Sequence, residues 1–225
     1  MRLMYVVFLP LLLVMVGCSS STEENNIPQV PSKLTALLFS GNVGTTYVFK
    51  TTNIHYGDNE KDTTYSHNRY TIKNKNAVLA NGKTAMEVEL LQDNGLSERL
   101  FFSATDSTLY RYTYFTGTSS LLESLLLQTP LTTGATFSRG GNLPGSFVKI
   151  ARTGTSVTVP KGKYTAVQVV QEYTNYIGTT KQDFNETWYY VSGTLWVKHV
   201  TTQILTPQGG NPALNVETEE LVSIQ

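Results

Sequence analysis

The residues able to do chemistry are three histidines, one cysteine and a scatter of carboxylates. His55 and His67 flank Asp58-Asn59-Glu60-Lys61-Asp62, and imidazole and carboxylate are both metal-ligand types. The segment lacks what a calcium loop needs, a glycine at the sharp bend and a trailing bidentate glutamate. Gly57-Asp58-Asn59 is turn chemistry instead, so the stretch reads as a solvated hairpin tip, and no metal or cofactor is expected. His199 lies in a threonine-rich strand, where a structural role is expected. Glu87 with Glu89, and Glu217 with Glu219, each share one strand face, and paired carboxylates are the machinery of glycoside hydrolysis. On an antiparallel sheet the polar face ordinarily meets water, so these pairs are read as solvent-facing. Gly209-Gly210 and Arg139-Gly140-Gly141 come without a phosphate-loop lysine, and no G-x-S-x-G elbow is present. No catalytic residue is assigned.

Tyr110, Tyr112 and Tyr114 form the most suggestive group. Alternation along a strand puts the three rings on one face and Arg111 with Thr113 on the other. Such a stripe stacks on sugars or lines an apolar cavity with polar tips. It equally forms one layer of an ordinary sheet core, the reading preferred here. Trp188 and Trp196 pose the same choice. These five aromatics are the candidate ligand contacts.

Composition removes several function classes. Seventeen basic residues balance seventeen acidic ones, so no net field draws nucleic acid or an anionic surface. The lone Cys18 rules out an intramolecular disulfide. It ends the stretch MRLMYVVFLPLLLVMVGC, with Arg2 ahead of an apolar run from Leu3 to Val16 and small Gly17 before the thiol. That is signal-peptide layout, too short and too interrupted by Pro10 to span a bilayer as a helix. Met15-Val16-Gly17-Cys18 resembles the lipobox of bacterial lipoproteins, with Met15 where leucine is usual. The resemblance implies cleavage between Gly17 and Cys18 and a diacylglycerol, with palmitate-type chains, on the cysteine sulfur. Several acyl chains anchor stably where one binds only reversibly. Residues 1–17 are thus the expected signal peptide and residues 18–31 a polar tether twice broken by proline. Residues 32–225 are the expected single β-rich domain. The implied location is the bacterial cell envelope, and Ser19 suits the outer membrane.

The elements that carry these residues are strands. Thr45 to His55, Tyr65 to Lys73, Thr84 to Gln92, Glu98 to Ala104 and Thr108 to Phe115 are rich in β-branched and aromatic residues. Asn81-Gly82, Asp93-Asn94-Gly95 and Thr105-Asp106-Ser107 separate them as turns. One helix is expected to interrupt the run. Ser120-x-x-Glu123 has capping-box form, Leu121, Leu122, Leu125 and Leu126 fall on one helical face, and Pro130 stops it. The predicted fold is an all-β antiparallel meander, a half-open barrel or sandwich with this short amphipathic helix between two similar halves.

Pseudo-repeats at 37–118 and 125–225 underlie that division. Phe39 to Tyr47 aligns with Thr129 to Phe137, and Asn81 to Val88 with Lys161 to Gln168. Phe101-Phe102 followed by Leu109-Tyr110-Arg111 parallels Tyr189-Tyr190 followed by Leu195-Trp196-Val197. Phe39-x4-Gly44-x2-Tyr47-x-Phe49 is similar to the F-P-x3-G-x2-W-x-Y opening of a group of all-β bacterial envelope proteins. Val157 to Tyr164 and Trp188 to Lys198 look like that group's V-x-V-P-x-G-x-F turn and W-Y-x3-G-x-G-L-V-K close. Ser40, Tyr47 and Leu195 depart from its proline, tryptophan and second glycine. The resemblance implies an open or half barrel without catalytic residues. The expected function is non-enzymatic binding or structural support in the envelope, with a lipid or glycan in a β cavity. The alternatives are a hydrolase of envelope glycans or lipids, and a protein-binding subunit of an envelope assembly.

Overall fold

Alternation of β-branched and aromatic residues with polar ones, punctuated by glycine turns, leaves this chain little choice but strands. The computed structural model describes residues 31–57, 60–114, 120–139 and 146–225. Gly17 and Cys18 with the rest of the leader, most of the tether, Asp58, Asn59 and Gly140-Gly141 lie outside the described residues. The first half carries β1 (Thr46–Tyr56), β2 (Lys61–Val78), β3 (Thr84–Gln92), β4 (Ser97–Ala104), β5 (Thr108–Tyr114) and β6 (Leu121–Gln128). The second carries β7 (Thr136–Ser138), β8 (Phe147–Val159), β9 (Gly162–Ile177), β10 (Thr180–Val191), β11 (Leu195–Thr206) and β12 (Ala213–Ile224). A single 3-10 turn, Leu34–Leu37, precedes them.

All twelve strands belong to one antiparallel sheet, ordered β6-β5-β4-β3-β2-β1-β12-β11-β10-β9-β8-β7. The order is symmetric about the β1–β12 pair, which is matched from Tyr47–Ile224 to Tyr56–Leu214. At the far side the sheet curls until its two edges meet. There the Leu125 N–H donates to the Arg139 carbonyl at 2.9 Å. The result is a nearly closed barrel with one zipped seam and one almost open one.

The two halves begin with the same backbone hydrogen bonds. Gly44 N–H donates to the Ile72 carbonyl at 2.8 Å, and Ile72 N–H returns to Thr45 at 3.0 Å. Gly134 N–H donates to Ile150 at 2.8 Å, and Ile150 N–H returns to Ala135 at 2.9 Å. Both glycines have positive φ, 94° and 89°, where any Cβ is strained. Irregularities in pairing follow Ile72 and Ile150 alike.

The segment expected to be a helix is strand β6. Seven residues of β5 offer it a backbone ladder, from Thr108–Gln128 to Tyr114–Leu121, with a bulge at Leu126. Both of its faces are covered. Leu122 faces the barrel interior, and Leu121 packs outside against the tyrosine stripe of β5. A strand covered on both faces reads as a continuous apolar run, which periodicity alone does not separate from a helix.

The barrel has a plugged end and an open end. Leu34 and Leu37 are fully buried in the plug and Phe39 nearly so. The plug is latched to the β10–β11 turn, where Ser40 N–H donates to the Gly193 carbonyl and Gly193 N–H to Ala36, both at 2.9 Å. Gly193 keeps a positive φ of 76°, where a side chain is strained, and a Cβ there would meet Ser40 Oγ at 2.9 Å. Leu195, where the envelope proteins resembled carry a second glycine, keeps a left-handed φ of 61° and is fully buried. At the other end the walls differ in height. β2 and β9 run for 18 and 16 residues, whereas β3 to β6 span only 7 to 9.

This asymmetry predicts the order of opening. In native-state hydrogen exchange the amides joining β1 to β12 should exchange only with global unfolding, while Leu125 and β7 exchange orders of magnitude faster. Equal protection at both seams would contradict a closure that, among the described residues, is the bond from Leu125 to Arg139.

Candidate functional site

Eight strands close a barrel whose side chains just fill it, and diameter grows with strand number. Twelve therefore leave space. Near the plug the interior is filled by Tyr47, Phe49, Ile72, Val88, Phe102, Leu109, Val167, Tyr190 and Leu221. Above this floor lies a cavity of about 300 Å³. Phe102, Tyr190 and Trp196 form its base and Tyr70, Leu90, Leu100, Leu122, Leu126 and Trp188 its walls. Glu98, Arg111 and Thr113 are its polar lining. A second, more polar hollow of about 390 Å³ lies toward the open end on the taller wall, between His55, Asp62, Gln203, Asn215 and Glu217.

Trp196 is the hub of the floor. Its ring meets Phe39 and Phe49 at 5.8 Å, Tyr70 at 5.2 Å, Trp188 at 5.3 Å and Phe102 at 6.1 Å between centroids. Its Nε1–H donates to Glu219 Oε2 at 3.2 Å. Glu219, only 3% exposed, also accepts from Asn68 Nδ2 at 2.8 Å and the Tyr70 hydroxyl at 2.9 Å. Burial raises its carboxyl pKa, while these three donors pull the other way. Burial and the adjoining Glu219 push the Tyr70 hydroxyl well above its ordinary value, keeping it a donor. The solvent-facing reading of Glu219 is thereby corrected. It shares strand parity with buried Leu221 and points inward; Glu217, on the same face, is exposed in the hollow nearer the open end.

A second carboxylate is held two strands away, on β10. Glu186 accepts from the Tyr173 hydroxyl at 2.8 Å and Trp188 Nε1 at 3.2 Å. Buried Arg139 lies 3.8 Å away and donates through Nη1 to Gln171 Oε1. His199 stacks on Trp188 at 3.5 Å, with Nε2 3.1 Å from Thr201 Oγ1. Burial lowers its pKa to about 4, nearby Glu186 opposing and Arg111 and Arg139 assisting, so it is neutral at pH 7.

The five candidate aromatics divide. Trp188 and Trp196 line the cavity. Tyr110, Tyr112 and Tyr114 share one face as expected, but it is the outer one. There they form a small cluster with Leu79, Ala85 and Phe101, in which Tyr112 is 1% exposed. The β2–β3 hairpin covers them. Ala80 N–H donates to the Tyr114 hydroxyl at 3.1 Å, and Lys83 Nζ lies 5.4 Å above the Tyr110 ring. The stripe is a packing layer, remote from the cavity. His55 bonds Asn215 at 2.5 Å and His67 bonds Asp93 at 3.1 Å, and no group of three metal-ligating side chains converges among the described residues. Sequence reasoning missed Arg111, Arg139, Glu98 and Glu186. For Arg111 a signal existed, since it lies two residues from Leu109 and so shares that leucine's face of β5.

The chain matches no family model, and no curated protein matches its sequence. Among solved structures it is similar to a candidate lipoprotein from Parabacteroides distasonis, at 11% identity and a TM-score of 0.51, over 84% of this chain and 98% of that one. It is also similar to a candidate exported protein with YmcC-like fold from Bacteroides fragilis, at 11% identity and a TM-score of 0.48, over 84% and 99%. At such identity the first likeness is one of fold.

The neutral His199 predicts a pH dependence. Its folded pKa of about 4 lies below the unfolded value near 6.5, so the unfolded chain binds the extra proton between them. The stability it contributes is complete above pH 6.5 and is lost as pH falls toward 4. His199→Phe should shrink the stability difference between pH 7 and pH 4 by up to about 3 kcal/mol, read from urea unfolding at both values. An unchanged slope would mean that His199 titrates normally.

Proposed function

We propose that this protein is a cell-envelope lipoprotein, anchored through acyl chains on Cys18, that binds a lipid or glycan in its barrel without transforming it. The single observation that carries the reading is the cavity above Trp196. At about 300 Å³ it stands at the lower end of ligand-site volumes, and its lining is mainly aromatic and aliphatic with few polar groups. Both Glu219 oxygens are taken by donors, which is a structural use of the carboxylate. The lipobox resemblance supports the anchor, and the Parabacteroides distasonis structure bears a lipoprotein name. The described chain enters at the plugged end. The outer membrane is the location we propose.

Both of the chain's tryptophans line the cavity, so fluorescence excited selectively in tryptophan reports on this site. A panel of lipids and glycans should include members that shift it saturably, or that co-purify with the native protein. A panel without one response would remove the binding function. For the anchor, intact mass of native material should show an acylated Cys18 at the N-terminus, and Cys18→Ala should release the protein from the membrane fraction. A membrane-bound Cys18→Ala variant would overturn the lipid anchor.

A further inference from the structure

Arg111 stands in the wall of the cavity, level with Phe102 on β4 and Ser124 on β6. Its Nε is shut off from solvent and has no hydrogen-bond partner among the described residues. None of the ion pairs among those residues includes it. Arg111 as a whole is half-buried, and a cation turned into an interior is ordinarily paired. Arg139, the other inward arginine, is engaged with Gln171 and Glu186.

A second donor is idle beside it. Gln171 Oε1 accepts from Arg139, which fixes the orientation of the amide and turns its Nε2–H₂ elsewhere. That nitrogen too is buried and unpartnered among the described residues. It faces a narrow crevice bounded by Leu126, Trp188 and Tyr190, three residues that also line the cavity. Two buried N–H donors without partners among the described residues thus border one mainly apolar interior. Arg111 is in the cavity wall, where Glu98 and Thr113 are the other polar lining, and Gln171 is in the adjoining crevice. Burial, then the charge of Arg139, lower the Arg111 pKa, with Tyr190, Glu186 and Glu98 pulling the other way.

We infer that the ligand is a single-chain amphiphile carrying one anionic group, inserted head first so that a carboxylate meets Arg111 and the chain runs between Leu90, Leu100 and Leu122 toward the open end. This rests on the binding function proposed above and names its ligand class. Glu98, exposed at the mouth of the same cavity, opposes a second negative charge there. The depth of Arg111 sets the orientation. It is level with the aromatic floor, while the lining nearer the mouth is largely aliphatic. A charge-assisted pair to a half-buried guanidinium is among the stronger hydrogen-bonded contacts, and a neutral head in the same place would leave it unmade.

The test compares two probes of equal chain length, decanoate and decanol. The protein is the full mature chain carrying Cys18→Ser, purified without acyl chains and stripped of bound lipid. Decanoate should change tryptophan fluorescence saturably, and decanol should bind at least about tenfold more weakly. Arg111→Met should bring decanoate down to the level of decanol, with Arg111→Lys between the two. Should Arg111→Met fail to fold by circular dichroism, the wild-type contrast and Arg111→Lys still decide. Equal binding of the two probes, or a preference unchanged in either variant, overturns the anionic ligand and leaves a binding lumen standing. Silence toward both probes while a glycan binds overturns the ligand class, and silence toward every compound removes the binding function as well.

Discussion

The floor of the barrel depends on one contact set, the indole of Trp196 packed among five aromatic rings with its N–H spent on Glu219. A buried carboxylate is unfavourable unless its lone pairs are satisfied. Here Asn68 and Tyr70 from β2 and Trp196 from β11 satisfy it across the zipped seam. The same interaction thereby ties the first half of the chain to the second. Removing any donor would expose the remaining groups to the full cost of burial, so floor, seam and cavity base stand together.

Above that floor the interior changes character. Apolar layers next to the plug give way to Glu186, His199 and Arg139, and then to the polar hollow at the open end. Side chains from twelve strands cannot meet across the axis everywhere, and the gap falls where the packing turns from aromatic to polar. Plug and seam act as complementary closures. One blocks an end with Leu34, Leu37 and Phe39, and the other joins β6 to the segment after β7 by one described backbone bond. A barrel zipped on one side and barely joined on the other has its least stable region beside its cavity, as binding sites commonly do.

Much of the fold was legible in residue order. Thr84–Gln92 is strand β3 to the residue, and the glycine turns at Gly82 and Gly95 have the positive φ their neighbours suggested. The helix expected at Ser120 to Pro130 was not legible. Its leucines satisfy a helical face and a doubly covered strand equally well, and the ladder offered by β5 decided between them. In the candidate site Trp188 and Trp196 were read as packing aromatics first and ligand contacts second, whereas Arg111 was left on the polar face of β5. Alternation gave its phase correctly, because it opposes the tyrosines. Which phase lay inside was a matter of curvature.

What residue order determined by itself is local: strand chemistry, turn chemistry, the apolar leader ending at Cys18, and a charge balance that offers no field to nucleic acid. These follow from short-range sterics and transfer energies, which neighbouring residues settle among themselves. Tertiary structure alone decided which face of each strand became the interior, and so whether the Tyr112 stripe or Arg111 met the cavity. It alone brought Asn68, Tyr70 and Trp196 to Glu219. The physical reason is that a sheet has two faces of equal local standing, and only the sense in which it curls makes one of them a lumen.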